Sequence, residues 1–153
     1  MTFTIVPADL SDALTHELVS SHVAEMRAGA DPSVVYAYDT EQLRAHDVTL
    51  WTAWHGDELA GVGGLKHLDE ARGELKSFRT ARAFLGRGVG RALVRYVIAE
   101  GRARGYSSLW LETGTAPSFD AARHLYASEG FAACEAFDDY TPNPLSHFMT
   151  RAL

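Results

Sequence analysis

The stretch from Glu74 to Glu100 most constrains the fold of this chain, because it joins a strand, a glycine-rich turn and a helix. Residues 74–80 have the pattern of a short strand. Three glycines at alternate positions follow, and apolar residues then recur at helical spacing in a stripe formed by Val89, Ala92, Leu93, Tyr96 and Val97. The sequence therefore predicts a strand that leads through a glycine turn into an amphipathic helix.

The glycine turn has the features of an anion site. Glycine has no Cβ where a ligand must come close, and the first turn of a helix leaves its N–H groups without intrahelical partners. Arg87 and Arg91 add two cations beside this helix N-terminus. A Walker loop would end in Gly-Lys-Ser/Thr, and a dinucleotide fingerprint would place its third glycine one residue after Gly90. We interpret the turn as a pyrophosphate cradle, with an ordinary glycine turn as the alternative that spacing leaves open.

The remaining elements predict an α/β or α+β domain. A first helix ends near Arg27, a short one lies around Thr40–Leu43, and two others follow the glycine turn and Pro117. The strand-helix-strand unit around the glycine turn implies two parallel neighbours in a mixed sheet. Glycines at 61, 63 and 64 indicate a weakened strand or a bulge. The predicted strands are Thr2–Val6, Val48–His55, Leu59–His67, Glu74–Thr80, Ser107–Glu112, Phe131–Phe137 and Ser146–Leu153.

Length and composition favour one domain, residues 1–153, in the cytoplasm. A net charge of −6 and the lack of a basic run interleaved with aromatics argue against nucleic acid as a partner. No apolar run approaches membrane length, and the N-terminus lacks the pattern of a leader. Cys134 is the single cysteine, and the seven histidines show no helical i, i+4 pair with a third ligand, so we expect neither a disulfide nor a metal site.

Two motifs and the element order resemble those of the GNAT-type N-acetyltransferases. Residues 85–90, Leu-Gly-Arg-Gly-Val-Gly, are similar to the coenzyme A loop Arg/Gln-x-x-Gly-x-Gly/Ala, with Leu85 at the position of the Arg or Gln. Residues 125–131, Leu-Tyr-Ala-Ser-Glu-Gly-Phe, are similar to Leu-Tyr-x-x-x-Gly-Phe. Phe119 stands where many members carry Asn. The resemblance spans nearly the whole chain and implies the GNAT fold, a mixed, mostly antiparallel sheet of about seven strands with a central parallel splayed pair, flanked by about four helices.

The resemblance also implies acetyl-CoA as cosubstrate, with its pantetheine arm lying between the splayed strands, and no metal. Acetyl transfer to an amine needs a held thioester, a neutral amine and a proton for the departing thiolate. Tyr126 is the candidate acid, although its spacing alone also fits a core aromatic. The residues implied in cofactor binding are Phe78, Arg79 and Thr80 on the strand edge, Leu85, Gly86, Arg87, Gly88, Val89, Gly90 and Arg91 in the loop, and Tyr126.

Two carboxylates compete for the role of base. Glu74 matches the catalytic glutamate of the histone-acetyltransferase branch, and we expect it on one strand face with Lys76, Phe78 and Thr80. A solvated pair with Lys76 is its alternative role. Glu112 lies at the end of the strand across the splay, where α/β ligand sites form. Either carboxylate could instead bind the substrate ammonium, so the assignment stays open.

The acceptor is expected to be a primary amine of a small molecule, bound by His22, Glu25, Glu112 and Tyr140. In the family the acceptor pocket is built from the first helices and from the loop before the last strand, here Val19–Ala37 and Asp138–Ser146. A non-catalytic acyl-CoA-binding or sensing module and a protein, peptide or tRNA acetyltransferase are the alternatives. A homodimer could form if the exposed last strand pairs across subunits.

Overall fold

The computed structural model describes residues 1–28 and 47–153, and of residues 25–28 it describes the backbone alone. The short helix predicted around Thr40–Leu43 lies outside the described residues. Within them, three α-helices and two short 3₁₀ turns, Arg82–Phe84 and Pro117–Phe119, accompany seven strands. The helices are α1 (Ala13–Ala28), α2 (Val89–Ala103) and α3 (Asp120–Ser128). No helix in these two stretches combines the length and the hydropathy needed to cross a bilayer.

All seven strands belong to one mixed sheet, as the sequence predicts. Their order across the sheet is β1-β2-β3-β4-β5-β7-β6, and β4 with β5 is its one parallel pair in the described chain. Each other neighbouring pair is antiparallel. The strands are β1 (Thr4–Pro7), β2 (Val48–His55), β3 (Glu58–His67), β4 (Arg72–Thr80), β5 (Ser108–Gly114), β6 (Ala132–Cys134) and β7 (Ser146–Ala152).

The apolar stripe of α2 packs on the centre of this sheet. Val94 and Val97 are fully buried and share one cluster with Leu65, Leu109 and Leu111 from the strands beneath them. Tyr96 lies at the margin of the predicted stripe, where it stays 36% exposed and meets the Trp51 ring edge to face. The strand-turn-helix unit is therefore held rigidly, which fixes the glycine turn at the carboxyl end of β4.

The parallel pair is joined only at its start. Arg72–Glu74 pairs with Ser108–Trp110, and beyond these residues the register between β4 and β5 stops. From there β3 is the one described strand that pairs with β4, whereas β5 continues along β7 to Gly114. The predicted splay is confirmed, and it opens at Glu74.

A bulge in β4 corrects one prediction about side-chain direction. Between the pairs Val62↔Arg79 and Gly64↔Lys76, two residues of β4 face the single Gly63, and Ser77 has φ 60°. The extra residue reverses the alternation, so Phe78 and Thr80 face α2 and α3 while Glu74 and Lys76 face the other side of the sheet. The four residues therefore do not share one face. The glycine at 63 fits this arrangement, because a Cβ there would lie 2.9 Å from the Phe78 ring.

The strand after α3 is shorter than predicted. It covers only Ala132–Cys134, because Phe137 turns away from the edge into an aromatic cluster. The centroid of the Phe137 ring lies 5.3 Å from that of Trp110, 5.0 Å from that of Tyr140 and 5.9 Å from that of Phe148. This cluster holds the loop of residues 135–145 against the face of the sheet that carries Glu74.

Candidate active site

In the glycine turn, the backbone conformation requires glycine at two positions, and close packing requires it at a third. Gly86 and Gly88 have φ of 73° and 87°, values that other residues rarely adopt. Gly88 caps α2, and the first carbonyl to accept from inside the helix is that of Gly88, at 3.0 Å from the Ala92 nitrogen. A Cβ on Gly90 would come within 2.9 Å of a Leu125 methyl group on α3. The N–H groups that precede Ala92 at the start of α2 have no carbonyl partner within the helix.

The two arginines of the turn have different surroundings. Arg87 is exposed on the loop, and so is Leu85, at 62%. Arg91 instead donates to Ser128 Oγ at 3.0 Å and to the carboxylate of Glu129, which also accepts from Arg95 at 3.0 Å. Arg91 thus joins the start of α2 to the last turn of α3, the helix that carries Tyr126.

A cavity of about 110 Å³ occupies the gap between the splayed strands. It brings together side chains from both faces of the sheet, because the gap interrupts the sheet itself. The described residues that line it are His22, Glu74, Leu75, Lys76, Ser77, Phe78, Leu111, Glu112, Thr113, Phe119, Ala122 and Tyr126.

Tyr126 forms part of this lining from α3. It is 8% exposed, and its ring lies edge to face against Phe78, at 6.4 Å, and Phe131, at 6.0 Å. Burial raises the pKa of its phenol above the ordinary value, and the charge of Glu112 adds to that increase. The hydroxyl therefore keeps its proton at neutral pH and can act as a hydrogen-bond donor toward the cavity.

Glu74 belongs to a buried network with Lys76 and Tyr140. The Tyr140 hydroxyl donates to Glu74 Oε2 at 2.5 Å, and the Lys76 ammonium donates to the Tyr140 hydroxyl at 2.6 Å and to Glu74 Oε2 at 3.4 Å. Glu74 is 1% exposed, so the pair with Lys76 is a buried one and not a solvated one. Its other oxygen, Oε1, is buried and accepts a hydrogen bond from none of the described residues.

Glu112 approaches the same cavity from β5. Its Oε2 accepts from Ser146 Oγ at 2.9 Å across the β5–β7 pair. Burial raises the pKa of Glu112 from 4.5 to about 7, with a further increase from the charge of Glu74; the hydrogen bond of Ser146 and the charge of Lys76 act in the opposite direction. Close to neutral pH this carboxyl can therefore both take up and release a proton.

The structure brings together most of the predicted catalytic residues but separates the predicted cofactor residues into two groups. Tyr126, Glu74, Glu112, His22 and Phe78 line one cavity. Arg79, Thr80 and the turn from Leu85 to Arg91 lie outside its lining, toward the carboxyl end of β4 and the start of α2. Tyr140 contacts this group through Glu74 and Lys76. The side chain of Glu25 is outside those described.

Sequence reasoning missed two residues of the site. The sequence predicts Lys76 only as a partner of Glu74, although two residues that are two positions apart in a strand share a face, so that both could line the same site. Ser146 reaches Glu112 through the β5–β7 register, which pairs Gly114 with Ser146, and no local pattern gives that register. In the described part of the chain, no group of three or more His, Cys, Asp or Glu side chains is placed to hold a metal ion.

Comparison with known proteins identifies the family. The family model for the acetyltransferase (GNAT) family matches residues 13–131. The chain belongs to the GNAT family. It is therefore an acetyl-CoA-dependent acyltransferase, with acetyl-CoA as its cosubstrate, and the family named from the two motifs is confirmed.

The relatives agree with this assignment over nearly their whole length. The chain is 45% identical to the uncharacterized N-acetyltransferase YsnE of Bacillus subtilis (strain 168), over 95% of this chain and 96% of that protein. It is 42% identical to the uncharacterized N-acetyltransferase YedL of Escherichia coli (strain K12), over 99% and 95%. Among solved structures, a Klebsiella pneumoniae protein assigned to the acyl-CoA N-acyltransferases has a TM-score of 0.82 at 28% identity, over 99% of this chain and 98% of that chain.

Proposed function

We propose that this protein transfers an acetyl group from acetyl-CoA to the primary amine of a small molecule, by direct attack of the amine within a ternary complex. The observation that carries the proposal is the cavity at the splay, because two carboxylates and a phenol that keeps its proton line the same space. The reaction breaks a C–S bond and forms a C–N bond. The nitrogen loses two protons between ammonium and amide, one before and one after it attacks, while the departing sulfur gains one proton and the second is released to solvent.

Acetyl-CoA supplies an acetyl group activated as a thioester. The edge of β4 at Phe78–Thr80, which none of the described strands covers on the side of the splay, offers backbone groups to its pantetheine arm. The N–H groups at the start of α2 would bind its pyrophosphate. A Cβ built on Gly86 or Gly88 would meet no atom within 4 Å, so the loop borders open space of the kind a phosphate needs. With Leu85 apolar and Arg91 bound to α3, exposed Arg87 is the side chain of this loop proposed to pair with the phosphates.

Tyr126 is proposed as the acid that protonates the sulfur. Its raised pKa keeps the proton on the phenol at neutral pH, and its place in the cavity lining points to the reacting end of the cosubstrate. A hydrogen bond to a sulfur that gains negative charge strengthens as the C–S bond breaks, which is how a general acid lowers the barrier.

The two carboxylates are proposed to have different roles toward the substrate ammonium, one as the base and the other as a binding group. Glu112, with a pKa near 7, is suited to accept its proton at neutral pH. Glu74 is proposed to hold the ammonium through Oε1, while Tyr140 and Lys76 fix Oε2. Other proposals carried over from the sequence are that residues 1–153 form one domain, that the enzyme works in the cytoplasm and that a homodimer could form. The last strand, β7, pairs with both β5 and β6, so it does not offer the exposed edge that the sequence suggested for that dimer.

The proposed function is tested by incubating the purified protein with acetyl-CoA and a panel of small primary amines. Release of free CoA thiol and the mass of the product are measured together, and we expect an N-acetylated small amine. Binding of acetyl-CoA with no transfer to any amine would contradict the proposal and favour a sensing module. Saturable acetylation of a peptide or protein, absent with every free amine, would contradict its substrate class.

A further inference from the structure

The charged groups of the cavity suggest which amines the enzyme accepts. Glu74 and Glu112 line it with the single ammonium of Lys76, so the described lining carries a formal charge of −1 when both carboxylates are ionised and His22 is neutral. No other lysine or arginine belongs to the described lining. A ligand with one positive charge therefore brings this group of residues to neutrality.

Lys76 is already engaged. Its ammonium donates to the Tyr140 hydroxyl at 2.6 Å, lies 3.4 Å from Glu74 Oε2 and sits 5.2 Å from the centroid of the Tyr140 ring. A substrate carboxylate could pair with Lys76 only by displacing these buried contacts. Lys76 thus balances the charge of Glu74 with help from the Tyr140 hydroxyl, and the described lining offers no other lysine or arginine to an anion.

Glu74, which lines the cavity, also has an unused acceptor. Oε1 accepts no hydrogen bond from the described residues, although Glu74 is 1% exposed. A buried acceptor without a donor is costly, and a substrate ammonium is a charged donor that would remove that cost. The rest of the lining is largely apolar, with Leu75, Leu111 and Ala122 on both sides of the gap.

Resting on the proposed acetyl transfer, we propose that the acceptor is a monocationic primary amine with an apolar body and no carboxylate next to the amine. Lys76 and Tyr140 act as specificity-determining residues, because they occupy the place where the carboxylate of an amino acid would need a partner. The enzyme accordingly selects alkyl- or arylalkylamines over the corresponding amino acids.

Matched acceptors test this inference at saturating acetyl-CoA. Phenethylamine, phenylalaninol and phenylalanine form one series, and isopentylamine, leucinol and leucine form another; within each series the alcohol retains added bulk without the negative charge. We expect kcat/KM to be at least about 100-fold higher for the amine than for the amino acid, since an unpaired buried carboxylate is heavily penalised. The amino alcohol should recover most of the kcat/KM that is lost in the amino acid.

The outcomes separate this inference from the proposed function. Equal or better acetylation of the amino acids would overturn the inference and leave N-acetyl transfer intact. An alcohol as poor as its amino acid would also overturn it, because bulk and not charge would then be responsible. No transfer to any of the six acceptors, with acetyl-CoA bound, would overturn both.

A variant tests the role assigned to Tyr140. Tyr140→Phe removes the hydroxyl that accepts from Lys76, so a substrate carboxylate can take the place of that hydroxyl and the ratio of kcat/KM for amine over amino acid should fall about 10-fold. Tyr96→Phe, which removes a hydroxyl from the outer side of α2, is the matched control and should keep the wild-type ratio. An unchanged ratio in Tyr140→Phe would overturn the specificity role of the Lys76–Tyr140 pair.

Discussion

The two halves of the β4–β5 pair differ in what their residues contact. In the first half, the backbones of Arg72–Glu74 and Ser108–Trp110 hydrogen-bond in a parallel ladder, and the side chain of Leu109, the middle residue of the β5 segment, is fully buried in the core. In the second half, residues 75–80 and 111–114 have no such register, and a cavity takes the place of the ladder. The same two strands thus provide stability where they pair and proposed chemistry where they separate.

Glu74 lies at the boundary between these halves, and it shows what separation allows. It is the last residue of β4 in register with β5, yet its carboxylate faces the cavity and is balanced by Lys76 and Tyr140. In a continuous sheet, a carboxylate buried this deeply would need hydrogen-bond or ion-pair partners within the protein for both of its oxygens. Because the strands separate here, Oε1 of Glu74 can remain without a donor from the described residues, while Oε2 is hydrogen-bonded to Tyr140 and Lys76.

The largest effect is expected at Tyr126, in the splayed half. Tyr126→Phe removes only the hydroxyl, so kcat should fall about 100-fold or more, as for loss of a general acid, while the Kd for acetyl-CoA changes less than about 2-fold. Steady-state kinetics and calorimetry measure the two quantities. Tyr96→Phe is the control and should keep wild-type turnover. Unchanged kcat in Tyr126→Phe would remove this residue from the chemistry.

A smaller effect is expected from the charge of Glu112. Its folded-state pKa of about 7 lies above the ordinary 4.5, so the stability that it contributes is fully present below pH 4.5 and is lost as the pH rises to 7. Glu112→Gln has no such titration, and the free energy of unfolding of wild type relative to the variant should fall across this window by up to about 3 kcal/mol.

Urea unfolding of both proteins at several pH values between 4 and 8 measures this difference. Glu58→Gln, at an exposed position of β3, is the matched control and should not reproduce the trend. A difference between wild type and Glu112→Gln that is constant over this range would show that the splayed half imposes no penalty on the carboxylate.

The smallest effect is expected at the two ends of α2. Gly88 and Gly105 both have strongly positive φ, 87° and 85°, and open space at the Cβ position, but only Gly88 belongs to the glycine turn at the start of the helix. Each change to Ala should destabilise the fold by about 1 kcal/mol through backbone strain. Only Gly88→Ala should also weaken acetyl-CoA binding, by about 10-fold, because it moves N–H groups that would bind the phosphates.

Calorimetric titration of the two variants tests this pair directly. Equal losses of acetyl-CoA affinity in Gly88→Ala and Gly105→Ala would mean that strain alone accounts for them. In that case the glycine turn would be an ordinary turn, the alternative that its spacing left open.

Local patterns predicted the elements that are long and periodic. The stripe of α2, the glycine turn and the order of the strands follow from residues close in sequence, so the mixed sheet and the parallel pair could be predicted. The glycines of β3 indicated an irregularity, yet the extra residue lies in β4, where Ser77 has a positive φ that a serine does not signal. The reversal of faces at Phe78 was therefore missed.

Contacts between segments that are distant in sequence could not be predicted either, because local patterns carry no information about them. Tyr140 joins Glu74 across 66 positions, and Ser146 joins Glu112 across 34. The first contact depends on how the loop of residues 135–145 folds against the sheet, which the aromatic cluster of Phe137 decides. The second depends on the register between β5 and β7. Candidate site residues were recognised by type and by motif, whereas their hydrogen-bond partners required the tertiary structure.

Calorimetric titration of the wild-type protein with acetyl-CoA, CoA and ADP tests most directly the claim that the splayed half receives the cosubstrate. We expect saturable binding that is clearly tighter for acetyl-CoA and CoA than for ADP, because ADP can use only the glycine turn while the pantetheine arm also uses the edge of β4. Equal affinity for ADP and acetyl-CoA, or no binding of acetyl-CoA, would contradict it.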